Sequence, residues 1–174
     1  KDDFLYLTIH NSQKIEVVNR ETFERKKTIT GFSSPRYSLF IGDEKVLVSD
    51  LYERKINALD LKDACEIGSI DTKGWTEQIF ETQNGIWAIE RNGIGESKFA
   101  NLIQIDKENL SITSRVGIPI EPNSIIQDSE SNFWILSSGI ESDNEFPKLI
   151  KFNTATKTIS KTFSIKICNY QNKI

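Results

Sequence analysis

The fold of this 174-residue chain is decided by the stretch Pro35–Ile70, which reads PRYSLFIGDEKVLVSDLYERKINALDLKDACEIGSI. It contains four short runs rich in β-branched and large apolar residues, namely Pro35–Phe40, Val46–Asp50, Ile56–Asp60 and Cys65–Ile70. The gaps between the runs hold Gly, Asp, Lys or Asn, which favour turns. Apolar runs of this length separated by turn-forming residues predict β-strands joined by hairpins. The stretch therefore predicts one four-stranded antiparallel unit.

This four-stranded unit recurs along the chain. Its second strand appears four times, as Leu5–Leu7, Val46–Val48, Ile86–Ala88 and Phe133–Ile135. Its third strand also appears four times and always ends in Asn or Asp, as Ile15–Asn19, Ile56–Asp60, Leu102–Asp106 and Leu149–Asn153. An Asn or Asp side chain can accept hydrogen bonds from the backbone of the turn that follows it. A period of about 40 to 50 residues with four strands per unit predicts the blades of a β-propeller.

We therefore predict an all-β protein, a β-propeller of four-stranded antiparallel blades with four repeats visible. The predicted blades span residues 1–33, 34–73, 74–120 and 121–166 of a single propeller region, and a tail covers 167–174. The first strand of the unit is found only in the last three blades. A β-sandwich with short, evenly spaced strands is the alternative, but it does not predict the Asn or Asp after every third strand.

How the ring is completed stays open between two arrangements. The tail Ile167–Ile174 can supply the missing innermost strand of the first blade, which would close a ring of four blades. Alternatively, the chain is part of a larger ring, and its open ends pair with a missing segment or a second copy, because uncovered strand edges promote aggregation. We favour the larger ring.

Composition excludes several classes of function. The net charge is −3 and no Lys/Arg-rich run occurs, which argues against bulk nucleic-acid or anionic-membrane binding. No apolar stretch approaches the roughly 20 residues that span a bilayer. The chain has no Met and opens at Lys1, so we expect a trimmed N-terminus, with any signal or lipid anchor outside this sequence. The two cysteines have no metal-ligand spacing, and we expect Cys65 to be buried.

The blade pattern resembles the YVTN- or YncE-like β-propeller superfamily, which includes the streptogramin-lyase-like propellers. A narrower likeness is carried by Ser34–Tyr37, Val46–Tyr52, Lys55–Ile56 and Gly74–Gln78. These segments resemble the surface-exposed propeller lipoproteins of Bacteroidetes, a group that includes cobalamin-binding members. The resemblance implies a protein of the cell envelope, at the outer-membrane surface or in the periplasm. It also implies a corrinoid as one candidate ligand and a TonB-dependent outer-membrane transporter as a candidate partner.

Candidate ligand-binding residues lie on one end of the predicted blades. In a meander of four strands, the loop between the second and third strands shares an end with the loop that connects successive blades. Seven residues of these loops are predicted to bind ligand: Arg36, Tyr37, Tyr52, Trp75, Glu77, Arg91 and Asn123. Aromatic rings with a few charges and amides suit a bulky, partly apolar ligand, and the same residue types dominate protein-binding hot spots. Packing of Tyr37 and Trp75 between blades is the alternative for those two rings. Trp87 and Trp134 are predicted to be inter-blade core.

Catalytic and metal-binding signals are weak. The single histidine, His10, has no Ser or Cys nucleophile motif beside it. No His/Cys/Asp cluster has metal-ligand spacing, and Asp128–Asn132 aligns with the hairpin turn between first and second strands. We therefore expect no catalytic residue, no metal and no cofactor. The leading hypothesis is a non-enzymatic ligand-binding propeller. The alternatives are a protein-interaction or sensor propeller and a lyase-like propeller enzyme.

Overall fold

The computed structural model describes residues 3–92, 99–140 and 145–165. Its strands are β1 (Phe4–Ile9), β2 (Lys14–Asn19), β3 (Arg25–Ile29), β4 (Pro35–Ile41), β5 (Lys45–Asp50), β6 (Lys55–Asp60), β7 (Glu66–Asp71), β8 (Trp75–Thr82), β9 (Gly85–Arg91), β10 (Ala100–Ile105), β11 (Ile112–Ile118), β12 (Pro122–Gln127), β13 (Phe133–Ser137), β14 (Lys148–Asn153) and β15 (Thr158–Ser164). One 3-10 turn, His10–Ser12, follows β1. No helix in these ranges has the length and apolar character needed to cross a membrane. The predicted tail and Cys168 lie outside the described residues.

The strands form four antiparallel sheets, and in each sheet every strand lies beside its neighbours in sequence. The first sheet has three strands, β1–β2–β3, and the other three sheets, β4–β7, β8–β11 and β12–β15, have four strands each. This confirms the prediction of an all-β fold built from four-stranded antiparallel repeats. The three-stranded first sheet agrees with the finding that the first strand of the unit recurs only three times in the sequence.

The Asn or Asp at the end of each third strand has the local role predicted from the repeat. In each sheet the Oδ1 atom of this residue accepts one or two backbone N–H groups of the turn that follows. The acceptors and their donors are Asn19 with Glu21 and Thr22, Asp60 with Asp63, Asp106 with Glu108 and Asn109, and Asn153 with Thr156. The side chain thus supplies an acceptor for turn N–H groups that have no partner in the sheet. This repeated turn explains why Asn or Asp recurs at the end of each third strand.

The chain divides into two compact units, residues 1–115 and 116–174. In the first unit, three sheets pack face to face in sequence order. Val46, Val48 and Leu59 of the second sheet pack on the first sheet, and Leu47, Ile56 and Ala58 pack on the third, because successive side chains of a strand point to opposite faces. The strands β1 and β4 contact each other, as do β4 and β8. Both faces of the second sheet are therefore buried.

The second unit contains the sheet β12–β15, with one face buried and the other largely exposed. Phe133, Ile135, Ile150 and Phe152 on the buried face are each 0% exposed. The prediction that Trp134 is inter-blade core is wrong, because this side chain lies on the opposite face and is only half-buried. Trp87 is 0% exposed, as predicted. The two tryptophans occupy equivalent strand positions, so their difference in burial reflects what covers each sheet.

The prediction that Cys65 is buried is also wrong. Cys65 precedes β7 and is an exposed free thiol. The last strand of each of the first two sheets carries mainly exposed residues, as the pattern of Glu66–Asp71 shows. An outermost strand has a neighbour on one edge only, so apolar composition alone does not place its residues in the core.

Within the described part of the chain, Asn57 in β6 is the one buried residue whose side chain has two polar atoms without a hydrogen bond. It is 1% exposed, and neither its Oδ1 nor its Nδ2 has a hydrogen-bond partner there. Leaving a buried amide unpaired costs about 1 to 3 kcal/mol. Replacing Asn57 with Val should therefore raise the free energy of unfolding by about 1 kcal/mol, measured by urea denaturation.

A matched substitution, Asn57→Asp, keeps the shape of the side chain but places a charge at the same buried position. We expect it to lower the free energy of unfolding, because an unpaired buried carboxylate is costly to desolvate. If the Val variant were less stable than the wild type, the amide would have to be satisfied in solution and the interpretation would fail.

Candidate functional site

The candidate site is built on β-bulges that recur at the start of three first strands. The pairing register shifts between Pro35 and Ser38 in β4, between Thr76 and Ile79 in β8, and between Pro122 and Ser124 in β12. The residues inside these bulges include Arg36, Tyr37, Glu77 and Asn123, four of the seven predicted site residues. Bulges break the alternation of the strand and re-aim side chains, and they are common beside functional sites.

Asp50, at the end of β5, holds the two loops that surround the first bulge. Its carboxylate accepts backbone N–H bonds from Ser33 (2.9 Å) and Ser34 (2.9 Å) in the loop that leads into β4. It also accepts the N–H groups of Tyr52 (3.0 Å) and Glu53 (3.3 Å) in the loop that follows β5. The side chain is 0% exposed. One buried carboxylate thus satisfies four backbone donors and fixes both loops relative to each other.

Thr76 connects the second sheet to the third at the same end. Its hydroxyl accepts the Asp50 N–H at 3.2 Å and lies 3.3 Å from the Asp50 carbonyl oxygen, to which it donates. Thr76 is 0% exposed, so these bonds are shielded from water. Because Thr76 precedes Glu77 and follows Trp75, this contact sets the position of both candidate residues beside the second sheet.

Glu90, at the end of β9, repeats the role of Asp50 one sheet later. Its carboxylate accepts the backbone N–H of Lys73 at 2.7 Å and the side-chain amide of Asn101 at 3.0 Å. Arg115 lies 3.3 Å away and balances the charge of this fully buried group. In the second unit Ser137 occupies the equivalent position, and its hydroxyl donates to the carbonyl oxygen of Ile120 in the corresponding loop. A polar side chain therefore fixes the entry loop of each of these three sheets.

Three of the predicted site residues form a charged cluster around one carboxylate. Glu77 accepts the Nε–H of Arg36 at 3.2 Å through Oε2 and an N–H of Arg91 at 3.0 Å through Oε1. The Glu77 side chain is 14% exposed and that of Arg36 is 32% exposed. Both guanidinium groups thus bind the same carboxylate, one on each of its oxygens. The terminal nitrogens of Arg36 have no hydrogen-bond partner in the described part of the chain and remain as donors.

Two aromatic rings extend this cluster. The Trp75 ring lies 5.8 Å from the Arg91 guanidinium, within the range of a cation–π interaction. Tyr52 also meets Trp75 edge to face, with ring centroids 5.5 Å apart. Tyr52 is 60% exposed, so its ring presents apolar surface to solvent. The structure therefore brings together five of the seven predicted residues, which form one patch of guanidinium groups and aromatic rings.

The other two predicted residues, Tyr37 and Asn123, stand outside this cluster. Tyr37 occupies the same bulge as Arg36 and is 40% exposed, while its backbone N–H donates to the Ser49 hydroxyl at 3.1 Å. Asn123 is exposed in the bulge of β12, in the second unit. Both residues lie in a bulge at the start of a first strand, as Arg36 and Glu77 do. Their part in ligand binding stays a prediction.

Among the described residues, the other polar groups give no competing site. His10 is exposed in the 3-10 turn after β1. Within residues 3–92, 99–140 and 145–165, no group of three or more His, Cys, Asp or Glu side chains is placed to hold a metal ion. An open groove of about 490 Å³ lies at the opposite end of the first unit, bounded by Ile41–Lys45 and by Lys107, Glu108 and Leu110. It is lined mainly by hairpin turns and gathers no aromatic ring, so the loop end is the better candidate despite the volume of the groove.

Comparison with known proteins supports the class of fold. No protein-family model and no curated protein matches the chain. Among solved structures, dihydro-heme d1 dehydrogenase NirN in complex with DHE matches with a TM-score of 0.71 at 13% identity, over 94% of this chain and 35% of that chain. Hydrazine synthase of Kuenenia stuttgartiensis matches with a TM-score of 0.77 at 13% identity, over 94% of this chain and 46% of that chain. The WD40 β-propeller domain of Doa1 matches with a TM-score of 0.60 at 14% identity, over 76% of this chain and 43% of that chain.

These matches and the repeated four-stranded sheets define the chain as a set of β-propeller blades. The chain spans less than half the length of each of these three matched chains. At such low identity the likeness concerns the fold alone, since one fold supports many functions. The narrower resemblance to surface-exposed lipoproteins stays a prediction.

Proposed function

We propose that this chain is a non-enzymatic ligand-binding propeller whose loop end holds a ligand with a flat apolar body and an anionic edge. The observation that carries the proposal is the cluster in which Arg36 and Arg91 share Glu77 beside Trp75. The guanidinium of Arg36 can present two further donors in one plane, which suits a carboxylate or phosphate. The exposed ring of Tyr52 and the half-buried ring of Trp75 supply surface on which a flat ligand can stack.

Tetrapyrroles with acidic side chains have this combination of a flat ring and carboxylates. The matched structure of NirN is a complex with DHE, which gives a reason to include haem-like compounds among the probes. The resemblance to cobalamin-binding lipoproteins gives a reason to include a corrinoid. Location in the cell envelope and delivery of the ligand to an outer-membrane transporter belong to the same proposal and rest on that resemblance.

Binding should depend on the anionic edge of the ligand. We expect protoporphyrin IX to bind the protein and its dimethyl ester, which has the same ring without the charges, to bind at least about tenfold more weakly. Quenching of tryptophan fluorescence during titration measures both affinities. Equal affinity for the acid and the ester would contradict the assignment of an anion site. Heat released on titration with cyanocobalamin would support the corrinoid version, and the absence of heat at high concentration would remove it.

Replacing Arg36 with Ala should weaken binding of protoporphyrin IX by about 10- to 100-fold, because a hydrogen bond to a charged group contributes about 1.5 to 3 kcal/mol. Arg36→Lys should recover only part of this loss, since an ammonium group keeps the charge but not the planar pair of donors. Arg20→Ala is the matched control, because Arg20 is exposed at the hairpin turn after β2, at the other end of its sheet. A similar loss in the Arg20 variant would mean that net charge, and not this cluster, determines binding.

A protein-interaction platform is the second candidate function. Tyr, Trp and Arg are the residue types that contribute most to protein interfaces, and the 60% exposure of Tyr52 leaves its ring accessible to a partner. This candidate predicts that the Trp75→Ala variant loses a co-purifying protein, while the affinity for each of the small-molecule probes is negligible in the wild type.

A further inference from the structure

The turn between β8 and β9 contains Asn84–Gly85, one of the two Asn-Gly pairs in the sequence; the other is Asn92–Gly93. Asparagine followed by glycine is the pair most prone to deamidation, because glycine has no Cβ atom to hinder the approach of its backbone nitrogen to the asparagine side chain. The fold decides whether a given pair can react, since it sets the access of water and the freedom of that nitrogen.

The Asn84 side chain is accessible. The residue is exposed at the tip of the hairpin, and its side-chain amide makes no hydrogen bond within the described part of the chain. It borders an open groove of about 290 Å³, which Gln104 and Lys107 also line. The carbon of the side-chain amide is therefore open to attack, and water can reach the product.

The Gly85 nitrogen is held only at the end of a ladder. Gly85 begins β9 and forms with Thr82 the last pair between β8 and β9. The end of a hairpin opens at little cost in free energy, because it has paired neighbours on one side only. Gly85 has a φ of +125°, a conformation that glycine adopts readily and other residues do not. Opening of this single pair therefore releases the nitrogen beside Asn84.

Gln104, in β10, donates to the peptide that links Asn84 to Gly85. Its Nε2 lies 2.7 Å from the Asn84 carbonyl oxygen. A hydrogen bond to a peptide oxygen draws electron density away from the attached nitrogen. The Gly85 N–H thus gives up its proton to solvent more readily, and the deprotonated nitrogen is the nucleophile of the reaction.

The charged side chains beside the groove are engaged elsewhere. Lys107 pairs with Glu81, and Asp106 accepts backbone N–H groups of the turn that follows it. Among the described residues, Gln104 is the one side chain that donates to the Asn84 carbonyl oxygen. Any effect of the fold on this peptide that depends on a side-chain donor should therefore depend on Gln104.

We propose that Asn84 is a site of spontaneous modification, activated by Gln104, at which asparagine becomes aspartate and isoaspartate. The Gly85 nitrogen loses its proton to solvent and attacks the side-chain carbon Cγ of Asn84. The new N–Cγ bond closes a cyclic imide, and the Cγ–Nδ2 bond breaks as the amide nitrogen takes up a proton and leaves as ammonia. Water then opens the ring, at Cγ to give aspartate or at the backbone carbonyl to give isoaspartate.

Either product changes the turn. Each adds a carboxylate beside a groove that already holds Asp106 and Glu108. Isoaspartate also adds a carbon to the backbone between Thr82 and Gly85. This disturbs the bonds in which the Thr82 hydroxyl accepts the Asn84 N–H at 3.1 Å and donates to the Gly85 carbonyl oxygen at 3.1 Å. The modified hairpin should therefore be less stable, while the ligand-binding cluster at the other end of β8 stays intact.

The test follows Asn84 in the full 174-residue chain during incubation in mildly alkaline buffer. Trypsin cleaves after Lys73 and Arg91, so Asn84 and Asn92 fall in separate peptides, and mass spectrometry measures conversion in each. A sample unfolded in guanidinium chloride gives the rate without the fold. We expect Asn84 in the native chain to convert at a rate within about tenfold of its rate in the unfolded chain. Greater protection by the fold would overturn the proposal.

The role of Gln104 is tested in the same experiment. Gln104→Met should slow conversion of Asn84 in the native chain by about three- to tenfold, because the hydrogen bond to the peptide is lost. It should leave Asn92 unaffected, and it should change nothing in the unfolded sample. Gln127→Met, at an exposed glutamine in β12, is the matched control. An unaltered or faster rate at Asn84 in the Gln104 variant, with its fold confirmed by circular dichroism, would overturn activation by this side chain.

Discussion

Replacing Asp50 with Ala should lower the free energy of unfolding by about 3 to 4 kcal/mol, one of the two largest effects we expect in this chain. The substitution removes the acceptor of four backbone N–H groups, from Ser33, Ser34, Tyr52 and Glu53. Each buried donor left unpaired lowers the free energy of unfolding by about 1 to 3 kcal/mol. The full loss applies only to those donors that water cannot reach in the variant. Urea denaturation monitored by circular dichroism measures the loss.

A milder variant keeps this prediction testable if the Ala variant does not fold. Asp50→Asn retains one acceptor oxygen, so its loss of stability should be roughly half as large. In this variant the amide hydrogens of Ser33 and Ser34 should exchange faster with solvent, because their acceptor is weakened. Asp71→Asn is the matched control, since Asp71 is exposed at the end of β7, and we expect a change within about 0.5 kcal/mol. Unaltered exchange at Ser33 and Ser34 would show that Asp50 does not hold the loop.

Replacing Gly74 with Ala should lower the free energy of unfolding by about 2 to 3 kcal/mol. A Cβ atom at this position would lie 2.3 Å from the carbonyl oxygen of Arg91 and 2.8 Å from its carbonyl carbon. Both atoms belong to the backbone, so the start of β8 must move away from the end of β9. The movement would also separate Trp75 from Arg91, so the variant should lose ligand affinity together with stability.

Gly68→Ala is the matched control for this effect. Gly68 lies in β7 of the same unit, and an added Cβ would meet nothing within 4 Å. There we expect a gain in stability of about 0.5 kcal/mol, because alanine has less conformational entropy to lose than glycine. Opposite signs in the two variants, measured by the same denaturation experiment, would identify the close backbone approach at Gly74 as the cause. Equal effects would mean that the contact relaxes at little cost.

The sequence predicted the sheets well because their signal repeats. Four copies of the third strand, each closed by Asn or Asp, establish the period, and the structure shows the physical reason in the turn bonds of Asn19, Asp60, Asp106 and Asn153. A local hydrogen bond of this kind depends on few residues, so it can be recognised in the sequence alone. The propeller class follows from the period and is supported by the matched structures.

Burial was harder to predict because it depends on what covers a face. Trp87 and Trp134 have the same strand position and similar neighbours in sequence, yet one is fully buried and the other half-exposed. The prediction that Cys65 is buried was wrong for a related reason, because a residue beside an outermost strand has few neighbours to cover it. Nothing in the residues themselves distinguishes these positions from their buried equivalents.

Most of the candidate site was predicted from loop position and residue type, but the groups that build it were missed. Asp50 and Glu90 stand at the same place in VLVSD and IWAIE, so an acidic residue at the end of the second strand was a signal that the repeat alignment contained. The role of these two carboxylates depends on hydrogen bonds that they accept from the distant backbone N–H groups of Ser33 and Lys73. The order of residues in the sequence does not reveal these bonds. The bulges were equally hidden, because a shift of register leaves no fixed residue type.

The repeated bulge has a consequence for how such proteins diverge. Arg36, Glu77 and Asn123 occupy one structural position in three successive sheets, and the ladder of backbone bonds skips that position in each of them. A substitution there changes the side chain presented at the loop end of the sheet without removing a backbone bond between paired strands. After duplication of an ancestral sheet, selection could therefore adjust recognition one repeat at a time, with little penalty for the integrity of the scaffold.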